Sequence, residues 1–292
     1  MNRPLLVATR GSALARAQAG LAIRVMEEAG YGPCEQHIVH STGDISQRVA
    51  IKELPGQGWF TRELEEALAG EKADVAVHSA KDLPTEAPPG LEVAAFLPRA
   101  DPRDALVSRG GYLFSQLPAG ARVGTSSQRR LALLASLRPD LVGVPIRGNV
   151  DTRLQLLEKG GVDALLLASA GLDRLQRADV IVERLDPELF VPAPAQGAIA
   201  LQVRSGSGVA QMVRVLDHQK THAEVVAERL VLSGLGGGCL LPLGVWARWS
   251  QDMLKMTAVL AVDGKLRRTE AMGSDPITLA RGVVASLSQV AV

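Results

Sequence analysis

The sequence predicts an α/β protein in which two α/β domains are joined by a two-stranded hinge and followed by a C-terminal α+β domain with an antiparallel sheet. Three observations carry that prediction. Short β-branched or aliphatic runs alternate with amphipathic stretches as far as about Gln219. Two segments set by paired prolines, Leu97–Pro102 and Val191–Gly197, interrupt the alternation. Beyond Gln219 the order changes to a helix, three consecutive strands and a closing helix.

Taken in order, Leu5–Thr9 reads as a strand and Ser12 to Ala29 as a helix. Gln36–Ser41 and Asp74–Ser79 are strand-like, with a helix over Thr61–Ala69 between them. Val123–Thr125, Leu141–Ile146 and Asp163–Ala168 repeat the strand role, separated by helices at Ser127–Leu137 and Val150–Glu158. Strands that alternate with helices pair in parallel, because the helix supplies the crossover. The last part starts with a helix over Ala223–Leu235. Strands follow at Leu243–Trp249, Leu254–Val262 and Lys265–Ala271, the last two joined by the turn Val262-Asp263-Gly264-Lys265, and a helix starts at Pro276. A chain that crosses a hinge twice completes its first domain after Gly197. The predicted domains are therefore 1–97 with 197–216, then 101–191, then 219–292. The longest loop, Thr42–Gly58, holds Gly43, Pro55, Gly56 and Gly58 among polar residues, and suits a mobile surface loop near a site or a plain connector equally well.

Composition narrows the class. The 292 residues are 47% hydrophobic and 22% charged, with mean hydropathy +0.12, which excludes a disordered tail protein. A formal net charge of +1 gives no whole-molecule field for nucleic acid or an anionic membrane. The two cysteines, Cys34 and Cys239, make no disulfide framework, and no Cys/His spacing suggests a metal site. The first apolar run breaks at Arg10, too early for a signal-peptide core. The longest apolar stretch, Val162–Leu172, contains Asp163 and falls far short of a membrane span. A cytoplasmic protein in a reducing compartment is expected.

Inside the neutral total lies an imbalance: of 32 basic residues only seven are lysine. Base composition and a demand for planar forks that grip carboxylate or phosphate explain such a surplus equally well, so placement has to decide. Arg122, Arg129, Arg130, Arg138, Arg147 and Arg153 face only Asp140 and Asp151 over the same stretch, a local charge of +4. At Thr125-Ser126-Ser127-Gln128-Arg129-Arg130 small hydroxyl residues end a strand and two arginines open the next helix. Ile146-Arg147-Gly148-Asn149 and Thr9-Arg10-Gly11-Ser12 repeat the arrangement. Exposed N–H groups and the positive dipole end make such junctions anion sites, and arginine there works against the dipole. A ligand rich in carboxylate or phosphate, held between two domains, is the better reading than ordinary caps with solvated arginines.

Asp74–Pro84 supplies the acid: an apolar strand ends in Lys81-Asp82, which puts a carboxylate where open α/β sheets bind ligands. Lys81 either holds Asp82 ionised or shares in ligand binding. His78, inside the alternating strand, reads as a buried or cross-strand residue. Gly236-Gly237-Gly238-Cys239 places a thiol on a loop without side chains, a setting that suits an attachment point for something bulky; Cys34, at a strand start, reads as structural.

Together these motifs resemble the porphobilinogen deaminase (hydroxymethylbilane synthase) family. The resemblance covers nearly the whole chain in order. It runs through TRGSALARAQ (Thr9–Gln18), FTRELEEAL (Phe60–Leu68), DVAVHSAKDLPT (Asp74–Thr85), DPRDALVS (Asp101–Ser108) and VGTSSQRR (Val123–Arg130). It continues through RGNVDTRL (Arg147–Leu154), LASAGLDRL (Leu167–Leu175), PAPAQGAIA (Pro192–Ala200) and GGGCLLPLG (Gly236–Gly244). It implies three domains, the first two similar to periplasmic binding proteins, and a dipyrromethane cofactor joined by a thioether to Cys239. It further implies stepwise head-to-tail addition of four porphobilinogen molecules with loss of ammonia, then hydrolytic release of hydroxymethylbilane for tetrapyrrole and haem biosynthesis. Each pyrrole carries an acetate and a propionate. The resemblance therefore assigns substrate or cofactor binding to Arg10, Ser12, Lys81, Thr125, Ser126, Ser127, Arg129, Arg130, Arg147, Gly148, Arg153, Ala168 and Gln196. Asp82 matches the catalytic aspartate, which stabilises cationic pyrrole intermediates and assists proton transfer. Thr42–Gly58 matches the lid, with Lys52 a ligand contact, and Gln18 and Phe60 line the site by analogy. A monomer with no metal, no nucleic-acid partner and no membrane association is implied.

The chain departs from the family pattern at Gln57, Trp59, Ala195, Gln202 and Leu240-Leu241. Ala195 stands where glycine is usual, so a positive φ there would bring strain of about 1 kcal/mol. Two other readings use part of the same features: a non-catalytic polycarboxylate-binding protein, and a dehydratase built on two α/β lobes. Both leave Cys239 without a role.

Overall fold

The computed structural model describes residues 3–39, 61–238 and 241–289. Lys52, Phe60 and Cys239, and with them the lid and Gln57, Trp59 and Leu240, lie outside the described residues. The chain divides into two compact units, Met1–Arg99 with Ala198–His222, and Ala100–Gly197 with Ala223–Val292. Two of the boundaries fall within or at the end of the proline segments. Among the described residues no helix is long and apolar enough to cross a membrane, and no group of three His, Cys, Asp or Glu side chains is placed to hold a metal.

In the first unit, β1 (Leu5–Arg10), β2 (Cys34–Val39) and β3 (Val75–Ser79) are parallel, while β10 (Ile199–Arg204) runs antiparallel between β3 and β4 (Leu91–Phe96). The order is β2-β1-β3-β10-β4. Ser12 caps α1 (Ala13–Glu28) by accepting from the Ala15 N–H at 3.3 Å. Alternation sorts the two faces. Leu5, Val7, Val75, Val77, Ile199, Leu201 and Val203 pack with Ala19, Ala22 and Met26 of α1 and with α6 (Gly208–Arg214). Ala8 and Ala76 take the other face under Leu64, Ala67 and Leu68 of α2 (Arg62–Ala69). Fully burying one such large apolar side chain contributes about 1.5–3 kcal/mol.

The second unit repeats the arrangement. β6 (Arg122–Thr125), β7 (Val142–Pro145) and β8 (Ala164–Ala168) are parallel, and β5 (Asp104–Ser108) runs antiparallel between β8 and β9 (Glu183–Arg184), in the order β7-β6-β8-β5-β9. In each sheet the antiparallel strand enters directly after a proline segment: β10 after Gly197, β5 after Pro102. Helices α3 (Gln128–Leu137) and α4 (Val150–Glu158) cover opposite faces, and the short α5 (Ser169–Arg174) follows β8. The unit also contains α7, Gln219–Gly234 with its first turn in the other unit, and a three-stranded antiparallel sheet. Its strands are β11 (Leu243–Ser250), β12 (Met253–Val262) and β13 (Lys265–Gly273), followed by α8 (Pro276–Ser288). One face of this sheet packs on α7 and α8. From its other face Trp246, Val259 and Leu266 join Leu133, Leu134 and Phe190, and Arg248 and Arg268 both bond Glu188. The predicted α/β class and the C-terminal antiparallel sheet are both present.

The predicted strand over Gln36–Ser41 begins earlier, at Cys34. Its start is set by the pairing of Leu5 with Cys34 along β1. Strands β4, β5, β9 and β10 and helices α5 and α6 are additions to the sequence reading. Ala195 has φ 60, so the position does need the left-handed region; its N–H donates to the buried Glu228 carboxylate at 2.5 Å, which also accepts from the Ala247 N–H at 2.7 Å. Two residues on, Gly197 has φ 92, and a Cβ there would lie 2.5 Å from the Ala100 carbonyl oxygen. Backbone cannot yield as a side-chain tip can. Gly197→Ala is expected to cost at least about 3 kcal/mol in denaturant unfolding, and a loss below about 1 kcal/mol would show the turn to be adaptable.

Candidate functional site

In both units most of the described residues singled out from the sequence lie at or just beyond the carboxyl ends of the parallel strands, where open α/β sheets bind ligands. In the first unit, β1 ends at Arg10, half-buried, directly before the Ser12 cap. β3 ends at Ser79 and runs into a single 3₁₀ turn, Ala80–Asp82, pinned by the Ala80 N–H donating to the Ala198 carbonyl at 3.0 Å. Lys81 is half-buried and Asp82 is exposed. Gln18, buried on α1, exchanges hydrogen bonds with the Ser79 hydroxyl at 2.9 and 3.1 Å. It therefore fixes the strand end that carries Lys81 and Asp82.

His78 points to the opposite face, toward α2. Burial, and to a lesser degree the charge of Arg10, lower its pKa to about 4, so it is neutral near pH 7. Gln202 lies close enough to oppose that shift, yet neither His78 Nε2 nor Gln202 Oε1 meets hydrogen-bond geometry. Gln202 Nε2 donates instead to Glu65 at 3.3 Å, whose carboxyl is pushed up by burial.

In the second unit the strand ends carry hydroxyls and cations. Ser127 caps α3, accepting from the Arg130 N–H at 3.4 Å, and Thr125 Oγ1 accepts from the Ser127 N–H at 3.3 Å. Asn149 caps α4 through the Thr152 N–H at 2.9 Å. Gly148 before it has φ 96, and a Cβ there would sit 2.8 Å from Thr152. Arg147 is exposed and Ala168, opposite Asp104 in the sheet, is half-buried.

Arg129 and Arg130 do not stand free in solvent. Both are buried, and both grip Asp104, which has no exposed surface. Arg129 Nη1 donates to Asp104 Oδ2 and to the Val191 carbonyl, each at 2.7 Å. Arg130 donates to Asp104 Oδ1 from Nε at 3.0 Å and Nη2 at 2.6 Å, and from Nη1 to the Leu166 carbonyl at 2.9 Å. Gln196 Nε2 adds bonds of 2.8 Å to Asp104 Oδ1 and to the Pro102 carbonyl. The guanidiniums outweigh burial and hold the Asp104 carboxyl well below the usual carboxylate range.

Two further cations have no ion-pair partner among the described residues. Arg153 donates to the Gly148 carbonyl at 2.9 Å and to Ser126 Oγ at 3.1 Å; burial and the neighbouring charge of Arg130 lower its pKa to about 10. Arg174 donates to the Gly197 carbonyl at 2.6 Å and is likewise lowered to about 10 by burial. Arg153 and Arg174 are thus held by neutral acceptors and not by carboxylates, and the enclosed Arg129 Nε has no acceptor. The sequence reading missed Asp104 and Arg174. The signal for Asp104 was an acid opening an otherwise apolar strand, since a charge buried there requires a partner.

Two family models match in chain order: "Porphobilinogen deaminase, dipyromethane cofactor binding domain" over residues 5–211 and "Porphobilinogen deaminase, C-terminal domain" over residues 222–289. A porphobilinogen deaminase of Desulforudis audaxviator is 44% identical over 278 residues, covering 94% of this chain and 90% of its own. One from a Roseiflexus species is 41% identical over 285 residues, covering 96% and 94%. Among solved structures, the VFT2 domain of BvgS from Bordetella pertussis aligns with TM-score 0.43 at 18% identity, covering 72% of this chain and 84% of that one.

Burial of His78 has a consequence for stability. Between about pH 6.5 and pH 4 the unfolded chain takes up a proton that the folded chain refuses, so stability falls with pH by about 3 kcal/mol. Glu65 opposes this, but does so with or without the histidine. Denaturant unfolding at pH 7 and pH 4.5 should show wild type losing about 2 kcal/mol more than His78→Gln; parallel profiles would contradict a neutral buried His78.

Proposed function

The chain belongs to the porphobilinogen deaminase family, and from that premise we propose how its own residues carry the condensation of four porphobilinogen molecules into hydroxymethylbilane. The observation that carries this reading is the match of both family domains, in order, over residues 5–211 and 222–289. Substrate or cofactor binding is assigned to Arg10, Ser12 and Lys81 and to Thr125, Ser126, Ser127, Arg129, Arg130, Arg147, Gly148, Arg153, Ala168 and Gln196, with the arginines, Lys81 and the hydroxyls taking the carboxylates. Arg174 joins them on its burial and its lack of an ion pair. The product gains an acetate and a propionate with every unit added. Arginine suits that task because it stays charged when partly buried and presents a planar fork.

Asp82, exposed at the end of β3, is the carboxylate assigned to the chemistry. Loss of ammonia from porphobilinogen leaves a cationic pyrrole. A fixed anion beside it lowers the barrier and accepts or returns a proton. The Gln18–Ser79 pair and the Ala80 bond to Ala198 hold its turn in place, so the charge is positioned before substrate arrives. Cys239 is proposed to hold the dipyrromethane group through a thioether, and the arginines above fit the carboxylates of such a group. When bound, that group supplies the pyrrole end from which the chain grows. Lys52 and Phe60, with the 42–58 lid, are proposed ligand contacts. The three-domain division at 1–97 with 197–216, 101–191 and 219–292, a monomeric state, the absence of a metal and a cytoplasmic setting belong to the same proposal.

Intact-mass measurement tests the attachment: freshly purified active protein is expected to carry a dipyrromethane adduct that Cys239→Ser abolishes, whereas active protein of unmodified mass would sink the assignment. For the chemistry, Asp82→Ala is expected to keep the adduct while turnover of porphobilinogen falls at least about 100-fold. Near-normal product formation would remove Asp82 from the reaction.

A further inference from the structure

The second unit buries two guanidiniums against a single carboxylate, and fold stability alone does not account for the second cation. Burying a charge without a counter-charge is costly, and removing one member of a buried ion pair is costly for the same reason. Asp104 accepts four donors: Arg130 Nε, Arg130 Nη2 and Gln196 Nε2 on Oδ1, and Arg129 Nη1 on Oδ2. With both oxygens engaged it cannot rotate, and with no exposed surface it cannot touch a ligand. Each guanidinium has five N–H donors. Arg130 uses three on Asp104 and the Leu166 carbonyl. Arg129 uses only Nη1; its Nε has no acceptor but is as enclosed as Asp104, so the donors left for a ligand are the remaining terminal N–H groups of the two guanidiniums. The cluster therefore carries one positive charge in excess and a set of donors with fixed directions, in the same unit as Arg153, which feels the charge of Arg130.

We propose that Asp104 is a positioning residue for anion recognition, a permanent internal carboxylate that fixes the planes of Arg129 and Arg130 so that the donors it leaves unused receive ligand carboxylates in one register. The assignment deepens the porphobilinogen deaminase reading and rests on it. It makes the hinge segment part of the same device. Gln196 couples the carboxylate to the Pro102 carbonyl, and the next residue, Gly197, accepts from Arg174. A shift in either proline segment would therefore turn the arginines.

A purely structural Asp104 and a positioning Asp104 separate in the kinetics. Asp104→Glu keeps the charge, and hence the fold, but moves the carboxylate by one methylene; it is compared with Asp104→Asn, which presents an amide donor to Arg129. Both are purified, their folded fraction is read from their unfolding transitions, and KM, kcat and the mass of enzyme-bound intermediates are measured with porphobilinogen. Positioning predicts that folded Asp104→Glu raises KM at least about tenfold while kcat changes less than about threefold, with partly elongated intermediates accumulating only at subsaturating porphobilinogen. Asp104→Asn, where folded, is expected to be worse on both counts. Folded Asp104→Glu with wild-type KM and complete product would overturn the proposal whatever its stability. Wild-type protein that consumes no porphobilinogen would instead contradict the family reading itself, so the two failures are distinguishable.

Discussion

One buried carboxylate joins a strand, a helix and both proline segments in the second unit. Asp104 opens β5 at the point where the chain enters the sheet from the first proline segment. Arg129 and Arg130 reach it from the first turn of α3, and Gln196 from the second proline segment. A charge in that position would otherwise be among the costliest things a protein can bury. Held by two arginines it becomes a rigid centre that ties sheet, helix and both connecting segments together, and its surplus positive charge stays in the protein.

The same centre accounts for residues that looked paradoxical. Two arginines in the first turn of a helix oppose its dipole; here they are compensated from β5, not from their own helix. Burial lowers the pKa values of Arg153 and Arg174 to about 10, and the charge of Arg130 adds to the effect at Arg153. Cations held in that way bind anions strongly, because little reorganisation is needed when the ligand arrives. In the first unit the order is reversed. There the acid, Asp82, is exposed, and what is buried is the Gln18 amide that fixes the strand end in front of it.

Much of the fold was legible because its signals are local. Ser12, Ser127 and Asn149 cap helices where small polar residues follow strands, and the three C-terminal strands are found within one or two residues of their predicted ends. The antiparallel strands β5 and β10 were not legible in the same way. Each pairs with partners far along the chain, across a proline segment, and no periodicity within DALVS or IALQVR states which sheet it will join. The site divides along the same line. Arg147 and Asp82 announced themselves by position just after strand ends, while the role of Asp104 depends on three residues distant in sequence and appears only once they meet. Ala195 lies between these cases: its departure from glycine was visible, and its φ of 60 shows that the backbone holds the conformation without glycine's freedom, with Glu228 bonded to its N–H.

The central claim is that recognition works by counting carboxylates against arginines already in place. It is tested most directly by calorimetric titration of Cys239→Ser protein, free of any adduct, with benzenehexacarboxylate and with benzoate at two salt concentrations. The hexa-acid is expected to bind at least about a hundred times more tightly, with an affinity that falls as salt rises and falls again in Arg153→Gln. Equal, salt-independent affinities for the two acids would contradict it.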